Sequence, residues 1–184
     1  MFLNLAPFSF FNGVCYVPPT ISVSIARFAG PKEKDSLVNI EETGEFVVNL
    51  VNRDIAEAMN KTAAEYPTEV NEFDVAGLTT SPSEIITPPC VAESPVSLEC
   101  RLIQVVPVNE GTRRECGLVI AEVVYCHIDD ELYDGRDNQI DLSDISISNN
   151  GIELIDREFI SAISEGREAN GSVHDTLDAM RTLD

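Results

Sequence analysis

Two groups of residues carry side chains whose type and spacing could do chemistry. The first is Ser24, Arg27, Lys34, Asp35 and Ser36, where the end of an alternating segment leads into the expected start of a helix. The first amides of a helix have no intrahelical partner, and the dipole is positive there, so a phosphate would be favoured. Lys34 would add a full charge, and Arg27, Lys32 and Lys34 crowd one short stretch of a chain with only 12 basic residues. The same residues also suit an exposed charged loop with an ordinary N-cap. The second group is Ser9, Phe10, Phe11 and Asn12. Aromatic faces beside small polar groups could hold a flat heteroaromatic ligand, or they could form an aromatic-rich core strand.

Other candidates carry less. Neither His127 nor His174 belongs to a recognisable triad or metal spacing, and His127 reads as a partly exposed residue at a strand end. Asp129, Asp130 and Glu131 lack the spacing of a calcium loop and read as a solvated turn. Cys15, Cys90, Cys100, Cys116 and Cys126 form no CxxC pair, so no zinc site or redox dithiol is indicated and reduced, mostly buried thiols are expected. GxGxxG, GxxxxGK[ST] and GxSxG are all missing, which argues against Rossmann dehydrogenases, P-loop NTPases and α/β-hydrolases. No catalytic acid, base or nucleophile and no metal ligand is assigned.

The elements that must position these groups follow from periodicity. Ile21–Arg27 alternates apolar with small polar residues and predicts a half-buried strand. Asp35 or Ser36 is expected to cap a helix of about two turns that Gly44 ends. Glu45–Val51 is apolar on both faces and reads as a central strand covered on both sides. Asn52–Ala64 reads as a helix and residues 65–95 as a proline-rich connection of the kind that often carries function. Val96–Val106 and Gly117–Ile128 predict a long antiparallel pair joined around Asn109–Thr112, which favours a small barrel or sandwich over a parallel sheet. Residues 146–184 form an acidic tail, expected as two short amphipathic helices around Ile155–Ile163 and after Ser172.

Composition narrows the class. Of 184 residues 43% are apolar, enough for one core. With 32 acidic residues against 12 basic the net charge is −20, which excludes a phosphate-tracking nucleic-acid binder and opposes anionic membranes. No apolar run reaches the roughly 20 residues of a membrane span. The first residues lack the basic region of a signal peptide, and a cytoplasmic protein is expected.

Several segments together resemble the flavin reductase-like family with its FMN-binding split barrel. They are Asn4–Asn12, the Pro18–Pro19 pair, Lys34–Ile40, Glu41–Asn49 and Val91–Cys100. The similarity covers about residues 3–130 and implies a mainly β fold, a split barrel with peripheral short helices, over residues 1–145. It implies a homodimer with FMN near the subunit interface and hydride supplied by NADH or NADPH. Many members pass reduced flavin to a partner monooxygenase. Carried over by motif position, Ser9, Phe10, Phe11 and Asn12 would lie along the isoalloxazine and ribityl chain, and Ser24, Arg27, Lys34, Asp35 and Ser36 around the phosphate. The rival from another class is a non-catalytic flavin-binding or interaction protein.

Two departures are expected. Family members carry a strand or two before the Asn4–Asn12 element, so the barrel here is expected to lack its first strand. Gly151–Glu168 resembles the C-terminal helical end of Gfo/Idh/MocA-type dehydrogenases, without that family's nucleotide-binding domain and so with no second activity implied.

Overall fold

In the computed structural model, residues 3–29 and 32–132 are described. The strands of the main sheet are β1 (Phe11–Tyr16), β2 (Pro19–Ala26), β5 (Glu45–Asn49), β8 (Val96–Val108) and β9 (Cys116–Ile128). All pair antiparallel in the spatial order β1-β2-β9-β8-β5. Two-residue ladders join β3 (Phe28–Ala29) to β4 (Lys32–Glu33), and β6 (Thr80–Ser81) to β7 (Cys90–Val91). The helices are α1 (Asp35–Thr43), α2 (Ala56–Lys61) and α3 (Glu72–Ala76).

The alternation in β2 places Ile21, Val23 and Ile25 on one face, all buried. They meet Ala121, Val119 and Gly117 of β9 in register, and with Val96, Leu98 and Cys100 of β8 they form the core. Leu37 and Ile40 of α1 share a face one turn apart and seal that core from one side. The β8–β9 hairpin turns through Asn109 and Gly111, both at positive φ, where the sequence placed it.

At Gly117 the Leu37 side chain of α1 packs close against the sheet. A Cβ there would lie 2.9 Å from Val105 Cγ1 and 3.0 Å from Leu37 Cδ1. Valine has little rotamer freedom, so the strain is not easily relieved. Gly117→Ala is therefore expected to cost about 1–3 kcal/mol, read as a lowered urea midpoint.

Four expectations need correction. Glu45–Asn49 is half-buried along its length and is an edge strand of the described sheet, not the expected central strand covered on both sides. Phe46 and Val48 pack on the core, while Glu45 and Asn49 accept hydrogen bonds from the amides of Thr87 and Val91. The proline-rich connection thus lies over that second face, and this burial gave the strand its two apolar sides. The cap of α1 is Lys34, whose side chain makes no capping bond, because Asp35 instead pairs with Lys32 at 2.7 Å. The predicted Asn52–Ala64 helix shortens to Ala56–Lys61, as the Asn52 side chain accepts from the Ile55 amide and turns the chain before it. The connection at 65–95 also carries regular structure: α3, capped by Asn71 Oδ1, and the ladder of β6 with β7. The expected helices around Ile155–Ile163 and after Ser172, and the tail at 146–184, lie outside the described residues. Among those described, no helix is long and apolar enough to cross a membrane.

Candidate functional site

A cleft of about 650 Å³ opens between the N-terminal segment, α1, β5 and the α2–α3 region. Its floor includes Val23 and Ile25 of β2, and its walls include Phe8, Phe11, Phe46 and Val48. Residues 3–10 form a strap along it, pinned at three points. Asn4 Nδ2 donates to Ser36 Oγ at 2.7 Å, the Leu5 amide donates to Glu72 Oε2 at 3.2 Å, and the Ser24 amide donates to the Phe10 carbonyl at 2.8 Å. An extended strap has no helix or ladder of its own, so these bonds to α1, α3 and β2 fix its path.

The structure brings together some of the sequence-derived candidates and separates others. Ser9, Phe10, Phe11 and Ser36 line the cleft. Phe10 is 78% exposed, so it is not a core residue. Asn12 is exposed on β1, on the side opposite Phe11, as the period of a strand requires. Ser24 lies between Val23 and Ile25 and by the same period faces away from the cleft floor. Lys34, Asp35 and Arg27 do not line the cleft. Asp35 accepts from Thr68 as well as from Lys32.

Arg27 has a different setting from the one its neighbours in sequence suggest. Its guanidinium lies 2.7 Å from Glu41, 3.3 Å from Glu33 and, through Nε, 2.9 Å from Glu115. The last is an ion pair without the alignment of a hydrogen bond. The Glu41 hydrogen bond outweighs partial desolvation and raises the Arg27 pKa above its ordinary value. Three carboxylates already surround this cation, and an anion bound at Arg27 would have to compete with them. Lys34 is backbone-linked to the same place, its amide donating to the Arg27 carbonyl at 2.8 Å.

Sequence reasoning missed Asn4 as the polar partner of Ser36, although it stood beside the singled-out aromatic run. It also missed what His127 does. His127 Nε2 lies 2.6 Å from Glu99 Oε1, and Glu99 is fully buried. The Glu99 carboxylate further accepts from the amides of Glu84, Ile85 and Ile86. Burial works to raise its pKa, but these four donors outweigh burial and hold it below the ordinary carboxylate value. The five cysteines are unpaired. Cys100 and Cys126 are raised by burial, Cys126 to about 12, and are inert thiols.

Likeness to solved structures shows that this fold is the flavin reductase split barrel. The family model described as flavin reductase like domain matches residues 3–141, and the chain belongs to that family. It is similar to the nitrilotriacetate monooxygenase component B from Bacillus cereus, with 38% identity and a TM-score of 0.70 over 76% of this chain and 68% of that one. A Shewanella frigidimarina protein assigned as a flavin reductase with split barrel domain is 28% identical, TM-score 0.67, over 78% of this chain and 68% of that one. An uncharacterized protein of Halalkalibacterium halodurans is 38% identical over 140 residues, 76% of this chain and 66% of its own length. The chain therefore spans just under two thirds of that curated relative. A separate, short similarity joins 54 residues, 29% of this chain, to 17% of the 4-carboxy-2-hydroxymuconate-6-semialdehyde dehydrogenase of a Sphingobium strain, at 54% identity.

Proposed function

We propose that this chain binds FMN in the cleft and acts as an NADH- or NADPH-dependent flavin reductase. The observation that carries the reading is that the family motif Asn4–Phe11 and Ser36 wall one cleft whose volume, about 650 Å³, suits a ligand of this size. The fit is chemical as well as steric. Phe8, Phe11, Phe46 and Val48 offer apolar faces to a ring system, while Asn4 and Ser36 supply polar atoms where the cleft meets α1. Bound there, the flavin supplies the hydride chemistry, and for that reason the chain needs no acid–base residue of its own.

The residues of the chain bind and orient. Ser9, Phe10 and Phe11 are proposed along the ring and ribityl chain, Asn12 lying on the opposite side of β1, with the phosphate at the uncapped start of α1. Of the group Ser24, Arg27, Lys34, Asp35 and Ser36, Lys34 and Ser36 are proposed to carry most of the phosphate affinity, since the charge of Arg27 is already matched by Glu33, Glu41 and Glu115. A homodimer is proposed, supported by the exposed apolar residues Phe10, Val14 and Val17. A monooxygenase partner is supported by the likeness to a monooxygenase component B. The proposed location is the cytoplasm. The tail is proposed to derive from a Gfo/Idh/MocA-type dehydrogenase end, supported by the short dehydrogenase similarity.

Lys34→Ala with Ser36→Ala is expected to weaken FMN by about 10- to 100-fold, the loss of one or two charge-assisted hydrogen bonds. Riboflavin, which has no phosphate, is expected to change little in the same fluorescence titration. Equal losses for the two ligands would place the phosphate elsewhere. Flavin binding without NADH or NADPH oxidation in a steady-state assay would favour the non-catalytic rival.

A further inference from the structure

Outside the cleft, three metal-ligating side chains converge from three strands: Cys90 of β7, Glu99 of β8 and His127 of β9. One ligand atom from each lies within 4.8 Å of the other two. Cys90 and Glu99 are buried, whereas the His127 side chain is 31% exposed. A hollow of about 220 Å³ opens onto Cys90, Ser97, His127 and Asp129. The flavin proposal does not use this group, although Val91 lines both hollows.

The carboxylate is built for more than pairing with a histidine. Glu99 Oε2 takes the amides of Ile85 and Ile86, and Oε1 takes the amide of Glu84. That leaves on Oε1 one further lone pair, which faces His127 Nε2 at 2.6 Å. A proton must lie between those two atoms, and a second sits on the Cys90 thiol, which burial keeps protonated. A metal ion in the middle would take the place of the Cys90 thiol proton and of the proton between Nε2 and Oε1, which a neutral imidazole then carries on Nδ1, without disturbing any of the three amide bonds. Ligand atoms around a tetrahedral ion with bonds of about 2.0–2.3 Å stand roughly 3–4 Å apart, so the required movement is small.

We propose that Cys90 Sγ, a Glu99 carboxylate oxygen and an imidazole nitrogen of His127 bind one divalent ion of the zinc class, with the fourth position open to the hollow. Mixed sulfur, nitrogen and oxygen ligands suit zinc or cobalt and not magnesium or calcium. The amides of 84–86 hold the carboxylate in place, and Ser83 Oγ, 3.7 Å from Cys90 Sγ, stands beside the thiolate. Such outer contacts orient ligands and raise affinity. The net charge of −20 favours any cation.

The test uses the full chain freed of metal and titrated with Co2+ in difference spectroscopy. One equivalent is expected to raise a thiolate-to-cobalt band, which Zn2+ then removes, with the Cys90 thiol proton released on binding. Cys90→Ser is expected to abolish the band and weaken Zn2+ by about 100-fold in competition with a chromophoric chelator, at or beyond the upper end of the loss from removing an outer-shell partner. His127→Gln, at a half-exposed strand end, is expected to weaken Zn2+ comparably, while Cys15→Ser keeps the band. No thiolate band in the intact protein, or a band that survives in Cys90→Ser, overturns the site. Flavin titration of the same samples reads the cleft separately, so failure of one proposal is distinguishable from failure of the other.

Discussion

Glu99→Ala lowers the stability of the fold by about 3–5 kcal/mol, the range for breaking a buried charge out of its partners. The side chain is fully buried, and its removal strands three backbone amides, those of Glu84, Ile85 and Ile86, together with His127. The Ile86 amide, at a buried position, then carries a full desolvation cost, while those of Glu84 and Ile85 are partly open to water. Urea unfolding at neutral pH measures the loss. The pH dependence has a definite sign. The folded pKa of Glu99 lies below its ordinary 4.5, so its contribution is complete above that value and is lost as the pH falls through the lower folded one. The urea midpoint of the intact chain is expected to drop on acidification below about pH 4.5, where the unfolded carboxyl takes up its proton. Glu99→Gln, which cannot ionise, should show a shallower drop over the same range. A Glu99→Ala variant with an unchanged midpoint would show that the 84–86 segment is held by something other than this carboxylate.

Leu37→Ala costs about 2–5 kcal/mol, the usual cost of deleting a buried leucine side chain. Leu37 is 1% exposed and closes the core over β2, β8 and β9. The informative experiment pairs it with Gly117→Ala. The Cβ that glycine lacks would lie 3.0 and 3.1 Å from the two Leu37 methyl carbons. In the Leu37→Ala background those carbons are gone, and the new methyl at 117 fills part of the vacated space. The double variant should therefore be more stable than the sum of the two losses, with a coupling of about 0.5–3 kcal/mol. Strict additivity would mean that Val105, at 2.9 Å, alone sets the cost at Gly117.

Local pattern made much of the sheet readable. The Ile21-Val23-Ile25 alternation, the long pair of late strands with its turn at Asn109–Thr112, and the stop at Gly44 each depend on residues close in sequence, so periodicity and turn chemistry reveal them. The aromatic run and Ser36 were also visible as candidates. What stayed hidden was decided by partners far along the chain. Nothing near Arg27 announces Glu115, and nothing near Glu99 announces that His127 and the amides of 84–86 will surround it. Glu45–Val51 read as central because two apolar faces imply two covers, yet the second cover is the proline-rich connection and not another strand. Lys34 at the cap of α1 escaped notice because Asp35, the better capping residue by type, is drawn to Lys32.

The grip of Glu99 on its loop has one more consequence. On this loop the carboxylate touches only main-chain hydrogens, so it reads no side chain at 84, 85 or 86, and those three positions are open to almost any amino acid as far as this anchor is concerned. Proline is the exception, having no amide hydrogen to give. The chain sets prolines on both flanks, at Pro82, Pro88 and Pro89, and none among the three residues whose amides the glutamate holds.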